Sequence, residues 1–212
     1  MRDARIDAPK GEAGLVRLAP RVFLLDDDAT TPALAPDVLV LRTAPSRAFG
    51  DGSHPTTRLC ARLVDTHARQ RAPVAVLDVG TGTGVLARIA RAHGAQIIIG
   101  TDIDGVALES ARVNALLDDH PIDITFANAA PDAWGQRFDL VVANILTPVL
   151  LVLADAIARA LVDGGTLFLS GFTRPEVPRL KVAFDVCGLR VVKDFSDGEW
   201  IALVLQKSAP GA

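Results

Sequence analysis

The sequence contains few of the features that would assign it to a specialised class of protein. Its two cysteines, Cys60 and Cys187, are far apart, which argues against a disulfide framework or a zinc site and indicates a reducing, cytosolic compartment. It has no apolar run near the ~20 residues that cross a bilayer, and no apolar signal-peptide core near its start, so no membrane partner is expected. Its net charge is −3 without a basic cluster, so nucleic acid is not expected as a partner either.

What the sequence does contain fits one folded domain with a short appendage. It has 212 residues, half of them apolar, which is ample for a hydrophobic core. Residues 1–14 are polar and are expected to form a flexible tail. Two apolar runs, VFLL at 22–25 and DVLVLR at 37–42, predict an N-terminal β-hairpin segment over 15–47. The remaining residues, 48–212, are predicted to form the main domain.

Strands and helices alternate from residue 74 onwards. With a helix that begins near Thr56, this alternation predicts a doubly wound, Rossmann-like α/β fold with a seven-stranded sheet, the layout of class I methyltransferases. Only FSDGE separates the last two strands, so we expect an antiparallel hairpin at the C-terminal edge, with one edge strand antiparallel. The predicted strands cover 74–79, 96–102, 122–126, 138–144, 165–171, 189–194 and 200–206, and the later helices include 85–94, 105–117 and 149–161.

A glycine-rich turn, DVGTGTG, follows the first of these strands. Gly80, Gly82 and Gly84 stand where the chain passes from strand to helix, as required of a backbone that turns sharply beside a ligand. A dinucleotide fingerprint would place its third glycine at position 85, which is Val85 here. The shorter spacing favours S-adenosylmethionine as the cofactor, and Thr81 within the turn is counted among the residues that bind it.

Acidic residues near the strand ends complete the predicted cofactor site. Asp102 ends the second strand of the alternating region, where a carboxylate accepts hydrogen bonds from ribose hydroxyls. Asp104 is expected to cap the helix that starts near Val106, and Ile103 between the two acids is predicted to contact the cofactor. Asp78 is counted with the cofactor residues, although tying down amides of the glycine turn is its more expected role.

The stretch AFGDGSHPTTRLC, Ala48–Cys60, holds a second pair of glycines beside polar side chains. Thr56 is a natural N-cap, and Thr57 in the first helical turn is placed to reach the amino-acid end of the cofactor. His54 precedes a proline and either shapes the loop or takes a proton. Asp51 either recruits a cationic acceptor or belongs to an Asp-Gly turn.

These stretches occur together in a known family. AFGDGSHPTTRLC, VLDVGTGTGVLA, GTDID and FDLVVANIL resemble, in order and spacing, the PrmA family, whose members methylate amino groups of a large-subunit ribosomal stalk protein. The resemblance runs from about residue 22 to the end of the sequence. It implies S-adenosylmethionine as the cofactor, with contacts at Thr57, Gly80, Asp102 and Asn144, and a ribosomal protein as the partner.

Two features depart from the family pattern. The family carries an N-terminal substrate-docking domain, whereas about twenty residues precede VFLL here, so most of that domain is expected to be missing. Asp51 stands where the family usually has threonine, and an acid at this point is expected to alter which acceptor is taken.

The expected reaction is methyl transfer to a protein amine, either a lysine or an N-terminal amine. Displacement at a sulfonium needs positioning in a dry pocket but no metal, and burial lowers the pKa of an amine so that it becomes neutral. Asn144 is the candidate that orients the nitrogen of the acceptor amine, and Asp51 and His54 are the other catalytic candidates. Phe172 is a candidate for the wall of the acceptor pocket, and Trp200 is expected to pack within the sheet. A small-molecule amine acceptor, a nicotinamide-dependent dehydrogenase and a non-catalytic binding module stay open as alternatives, and the oligomeric state is not predicted.

Overall fold

The computed structural model describes residues 14–118, 120 and 122–208, so almost all of the predicted tail at 1–14 lies outside the described residues. The described chain begins with a three-stranded sheet of β1 (Leu15–Ala19), β2 (Val22–Asp26) and β3 (Leu39–Thr43). β1 and β2 are antiparallel and close together in the chain, so a hairpin does lie at the N-terminus, but it is not the hairpin of runs 22–25 and 37–42 that the sequence predicted. The first strand of the observed hairpin, β1, was not predicted, and the two predicted runs instead pair in parallel as β2 and β3. The long connection between them allows this, because it returns the chain to the starting end of β2.

A seven-stranded sheet forms the body of the described chain. Its strands are β4 (Ala75–Val79), β5 (Ile97–Thr101), β6 (Thr125–Ala127), β7 (Phe138–Asn144), β8 (Leu161–Thr173), β9 (Leu189–Asp197) and β10 (Trp200–Lys207). They lie in the order β6-β5-β4-β7-β8-β10-β9, and β10 is antiparallel to both of its neighbours. The seven strands and the C-terminal hairpin are therefore confirmed. The antiparallel strand, however, lies one place inside the edge, because β9 occupies the outermost position before the chain turns back.

Helices pack on both faces of this sheet, as the alternation predicted. They are α1 (Pro55–Gln70), α2 (Val85–Ala92), α3 (Gly105–Leu117), α4 (Thr147–Ala160) and α5 (Val177–Val186). One buried cluster joins the three-stranded sheet with α1, α2 and α3, and a second joins α4 and α5 with the other face. Within the part of the chain that the structure describes, no helix combines the length and apolarity that a membrane crossing requires.

The start of α1 differs from its prediction in a way that matters for the site. The helix begins at Pro55, and its N-cap is His54, whose Nδ1 accepts a 3.3 Å hydrogen bond from the backbone nitrogen of Thr56. The prediction that Thr56 is the cap was wrong, because a proline suits the first helical position, where no N–H is needed. The cap predicted at α3 is confirmed, since Asp104 Oδ1 accepts a 2.8 Å hydrogen bond from the nitrogen of Val106.

The N-terminal sheet is anchored by the core rather than attached at the surface. Leu18 and Leu24 from this sheet are buried in the same cluster as Cys60 of α1 and Ile89 of α2. Burial raises the pKa of the Cys60 thiol, and Cys60 is a core residue. Because the sheet is anchored in this way, the segment that follows it, residues 44–54, runs to the carboxyl edge of the main sheet from a fixed starting point.

Candidate cofactor and acceptor site

A cavity of about 580 Å³ opens at the carboxyl ends of the parallel strands, where open α/β sheets bind their ligands. Its volume is in the range of cofactor and small-molecule sites. The fold thus brings together residues that are far apart in the sequence. Six of the predicted site residues line this cavity: His54, Gly80, Gly82, Asp102, Ile103 and Asn144.

The glycine loop after β4 has all three of its glycines in the left-handed region, with φ values of 72° at Gly80, 53° at Gly82 and 78° at Gly84. A side chain on Gly80 would overlap Ile145, and one on Gly82 would overlap the carbonyl oxygen of Phe49. Gly84 faces α3 and does not line the cavity. The first two glycines therefore make room for other walls of the site, and the third makes room for helix packing.

Asp102 lies just beyond the end of β5 on the cavity wall. Its Oδ2 accepts a 3.0 Å hydrogen bond from the nitrogen of Gly82, and its Oδ1 accepts one of 3.0 Å from the nitrogen of Asp104. Each carboxylate oxygen retains further acceptor capacity, so Asp102 can still accept hydrogen bonds from a pair of hydroxyls. Ile103 beside it is 90% exposed and lines the cavity, where it offers an apolar surface to a flat ring.

Asp78 and Thr81 brace the glycine loop from beneath and do not line the cavity. Oδ2 of Asp78 accepts a 2.7 Å hydrogen bond from the hydroxyl of Thr81 and a 3.3 Å bond from the nitrogen of Ala87. Burial raises the pKa of Asp78 to about 6 even though these two hydrogen bonds lower it, and the charge of Asp102 adds to the rise. Asp78 thus holds the turn through the hydroxyl of Thr81 and α2 through the amide of Ala87, and not through amides of the turn as the sequence predicted.

Asn144, at the end of β7, lines the cavity and carries an unpaired side-chain acceptor. Its Oδ1 is buried and has no hydrogen-bond partner among the described residues. The chain beyond it is fixed, because the nitrogen of Ile145 donates a 3.1 Å hydrogen bond to the carbonyl of Ser170. A buried polar atom without a partner costs free energy unless a ligand or water supplies one. The amide of Asn144 is therefore suited to a ligand that donates an N–H or O–H.

Three rings, Phe49, His54 and Trp200, form what we call the aromatic wall of the cavity. The ring of His54 lies 5.3 Å from that of Phe49 and 4.5 Å, edge-on, from that of Trp200. Because Nδ1 of His54 accepts from the amide of Thr56, the neutral ring carries its proton on Nε2. These contacts support the loop-shaping alternative for His54.

Besides Asp78, Thr81 and Gly84, three further predicted residues do not lie on the cavity wall. Asp51 Oδ1 accepts hydrogen bonds from the nitrogen and hydroxyl of Ser53, at 3.0 and 2.7 Å, so its carboxylate holds the Asp-Gly turn. Thr57 is 1% exposed within α1, and its neighbour Thr56 lines the cavity instead. Phe172 is fully buried in the core with α4 and α5, so the prediction that it walls the pocket was wrong.

Other wall residues were not among the predicted site residues. Residues 128–131 line the cavity directly after β6, and their place beyond the carboxyl end of a parallel strand is the signal that would have found them. Trp200 reaches the cavity because β10 is antiparallel to β8, so its first residue lies at the edge where the parallel strands end. Leu146, the last residue of the FDLVVANIL stretch, lines the cavity although it was not predicted as a site residue, and Arg47 lines it without any sequence pattern that predicts it.

Comparisons with known proteins agree over nearly the whole chain. Residues 16–208 match the family model described as "Ribosomal protein L11 methyltransferase (PrmA)". The ribosomal protein L11 methyltransferase of Methylobacillus flagellatus is 44% identical over 150 residues, 70% of this chain and 49% of that protein. The one from Clostridium botulinum (strain Eklund 17B / Type B) is 37% identical over 167 residues, 78% of this chain and 52% of that protein. The chain spans about half the length of these relatives.

Solved structures with a similar fold are also methyltransferases. The ribosomal protein L11 methylase from Lactobacillus delbrueckii subsp. bulgaricus superposes with a TM-score of 0.82 at 28% identity, covering 92% of this chain and 98% of that one. The N-methyltransferase NodS from Bradyrhizobium japonicum, in complex with S-adenosyl-L-homocysteine, has a TM-score of 0.58 at 14% identity, covering 73% of this chain and 89% of that one. The second likeness shows the fold alone.

Proposed function

Since the chain belongs to the ribosomal protein L11 methyltransferase (PrmA) family, we propose that it is an S-adenosylmethionine-dependent N-methyltransferase that acts on an amino group of a protein. One observation carries the proposal: a single cavity is lined by both Asp102 and Asn144, and the Oδ1 of Asn144 has no hydrogen-bond partner among the described residues. The first is an acceptor for the hydroxyls of a nucleoside, and the second is an acceptor for the N–H of an amine. Together they allow cofactor and amine to meet in one enclosed space.

S-Adenosylmethionine fits the residues that line this cavity. Asp102 offers acceptors to a ribose diol, and Ile103 offers an apolar face to an adenine ring. The absence of a Cβ at Gly80 and Gly82 lets Ile145 and the backbone of Phe49 lie against the loop, and both residues wall the space that the cofactor would occupy. Thr57, implied by the family resemblance, stays a predicted contact. When bound, the cofactor supplies a methyl group on a sulfonium.

The protein's own contribution is to hold the amine and keep it neutral. A free lysine has a pKa of about 10.4, so its charged form predominates in water. Removing it from water into a cavity lined by Ile145, Leu146 and the aromatic wall disfavours that charged form. Asn144 Oδ1 then accepts an N–H of the neutral amine, which turns the nitrogen lone pair toward the methyl group. Positioning of this kind supplies most of the rate enhancement in such a transfer.

His54 acts in this scheme as a positioning residue. Its Nδ1 is already engaged by the backbone nitrogen of Thr56, 3.3 Å away, and by the hydroxyl of Thr56, 2.7 Å away. A general base needs an open nitrogen that faces the proton it removes, and the cap occupies one of the two. We therefore assign the loss of the amine proton to solvent before the amine enters, and keep His54 in the aromatic wall.

A protein acceptor is supported by the surface at the mouth of the cavity. Phe49, Ile103 and Leu146 line the cavity and are 52%, 90% and 67% exposed. Large apolar side chains grouped at an opening are typical of a surface that a partner covers. The relatives are named for ribosomal protein L11, and we propose that L11 is the acceptor.

Two measurements test the cofactor and the acceptor separately. Calorimetric titration with S-adenosylhomocysteine and with NAD is expected to show binding of the first alone, and binding of NAD alone would overturn the methyltransferase assignment. Incubation with labelled S-adenosylmethionine and cell lysate is expected to label a discrete protein band at the size of ribosomal protein L11. Label found only in the small-molecule fraction would overturn the protein acceptor while leaving the cofactor in place.

A further inference from the structure

Thr83 ties the segment of residues 44–54 to the glycine loop. Its backbone nitrogen donates a 2.9 Å hydrogen bond to the carbonyl of Phe49, and its hydroxyl donates a 3.0 Å bond to the carbonyl of Gly50. Thr83 is 3% exposed and does not line the cavity. Any effect of its side chain on the site therefore passes through the backbone of the neighbouring segment.

Asn114 holds Thr83 from the opposite side. It is fully buried in α3, its Nδ2 donates a 3.0 Å hydrogen bond to the carbonyl of Thr83, and its Oδ1 accepts a 2.9 Å bond from the nitrogen of Ala44. One side chain thus joins the glycine loop to the beginning of the segment. Breaking either bond leaves a buried polar atom without the partner that offsets its lost hydration, so the arrangement is strongly preferred.

Beyond Gly50 the segment is held by the turn of Asp51 with Ser53 and by Arg58, which donates hydrogen bonds to the carbonyls of Gly52 and Ser53, whereas Phe49 and Gly50 themselves are held through Thr83. Gly50 and Gly52 have φ values of 115° and 82°, and glycine backbone moves freely between left-handed and right-handed conformations. Phe49 lies directly before Gly50, and its ring contacts His54 in the aromatic wall. A shift of the Phe49 backbone moves that ring, so the placement of the wall depends on the hydrogen bonds of Thr83.

We propose that Thr83 and Asn114 are positioning residues that set the aromatic wall at its working distance from Asn144. The catalytic part of this inference rests on the proposed function, whereas the dependence of the wall on Thr83 does not. Positioning acts steeply on rate, since a misplacement of about 1 Å can cost about a hundredfold. We expect loss of the Thr83 hydroxyl to lower kcat more than it weakens the binding of S-adenosylhomocysteine, because Thr83 contacts the segment and not the cavity.

The test uses Trp200 as a reporter of the wall. The chain has two tryptophans, so Trp134→Phe leaves Trp200 as the only one, and acrylamide quenching then measures how well it is shielded by His54, whose ring also contacts Phe49. Thr83→Val removes the hydroxyl at nearly constant shape, and Thr83→Ser restores it. Asp65→Asn is the stability control, because Asp65 pairs with Arg69 and His93 between α1 and α2, away from the cavity wall.

We expect Thr83→Val to raise the quenching constant of Trp200 by about twofold and to lower kcat by roughly tenfold to a hundredfold, with the affinity for S-adenosylhomocysteine within about threefold. Thr83→Ser and Asp65→Asn should leave the quenching constant unchanged. Should Thr83→Val fail to fold, Thr83→Ala and Asn114→Ser carry the same expectation. Unchanged quenching in a folded hydroxyl-deleted variant would overturn the proposal. If Thr83→Val changes the quenching but the parent protein shows no methyl transfer at all, the positioning of the wall is upheld and the proposed function is contradicted.

Discussion

The backbone nitrogen of Gly82 donates a 3.0 Å hydrogen bond to Oδ2 of Asp102, so the glycine loop after β4 and the acid at the end of β5 hold each other in place. The same carboxylate also accepts a bond from the nitrogen of Asp104. Asp102 is therefore positioned before any ligand arrives. A site whose acceptors are already oriented loses little conformational entropy on binding, which is why this pair is central to the proposed cofactor site.

Asp102→Asn should weaken the binding of S-adenosylhomocysteine by about tenfold to a hundredfold. The substitution keeps the shape of the side chain but replaces an ionised acceptor, whose hydrogen bonds are worth about 1.5–3 kcal/mol, with a neutral group that has only one acceptor oxygen. Isothermal titration calorimetry measures the change directly. The matched control is Asp51→Asn, which removes the same charge from a carboxylate outside the cavity wall and keeps the turn with Ser53. A similar loss in both variants would show that net charge, and not contact, sets the affinity.

Asn144→Ala should lower kcat by about a hundredfold and weaken S-adenosylhomocysteine binding much less. The variant removes the buried Oδ1 that we assign to the amine, so the amine is held in a poorer orientation for transfer. Steady-state kinetics at saturating cofactor separate the two effects. Asn144→Asp retains an acceptor oxygen at the same place and should recover part of the rate. If Asn144→Ala proves as active as the wild type, the acceptor role assigned to this residue is wrong.

Gly82→Ala should destabilise the protein far more than Gly94→Ala. Both glycines have positive φ, at 53° and 92°, so each alanine carries a backbone cost of about 1–2 kcal/mol. Only at Gly82 does the new Cβ overlap the carbonyl of Phe49, whereas nothing lies within 4 Å at Gly94. We therefore expect roughly 3–5 kcal/mol for Gly82→Ala and about 1–2 kcal/mol for Gly94→Ala in urea unfolding. Equal losses would mean that the segment 44–54 yields to the new methyl group.

The free energy of unfolding of Asp78→Asn, relative to that of the wild type, should increase as the pH rises from 4 to 7. Burial raises the pKa of Asp78 from the usual 3.8 to about 6, so the folded state binds its proton more tightly than the unfolded state does. The stability that this proton confers is complete below pH 4 and is lost as the pH passes through 6. The difference amounts to roughly 3 kcal/mol at most. Urea unfolding of both proteins at pH 4, 5, 6 and 7 measures it, and a difference that stays constant with pH would contradict the raised pKa.

The main sheet was largely predictable because strands buried on both faces are apolar throughout, and such runs are recognisable in the sequence. Runs such as VAVLDV and FDLVVAN are apolar throughout, and β4 and β7 lie within or at the predicted bounds. Local sequence patterns do not indicate which strands are neighbours. The parallel pairing of β2 with β3 and the position of β10 inside the edge of the sheet were therefore not predicted. Both depend on where a connection carries the chain, which is decided by packing over long distances.

The candidate site was predictable where a motif coincides with a strand end. Asp102 comes directly after β5 and Asn144 is the last residue of β7, so their place on the cavity wall follows from the topology. Thr57 was predicted from a helix cap at Thr56, but the cap is His54, two residues earlier, and Thr56 lines the cavity instead. Trp200 belongs to the wall only because β10 runs antiparallel. Predictions of this kind fail where one residue of register, or one reversal of direction, changes which side chain faces the cavity.

The most direct test of the account is intact-protein mass spectrometry of purified ribosomal protein L11 after incubation with this chain and S-adenosylmethionine. The account predicts that L11 gains mass in steps of one methyl group, and that Asn144→Ala slows this gain by about a hundredfold. Peptide mapping should place the methyl groups on amino nitrogens. An L11 that gains no methyl group, under conditions in which the chain binds S-adenosylhomocysteine, would contradict the claim that this cavity brings a protein amine to the methyl donor.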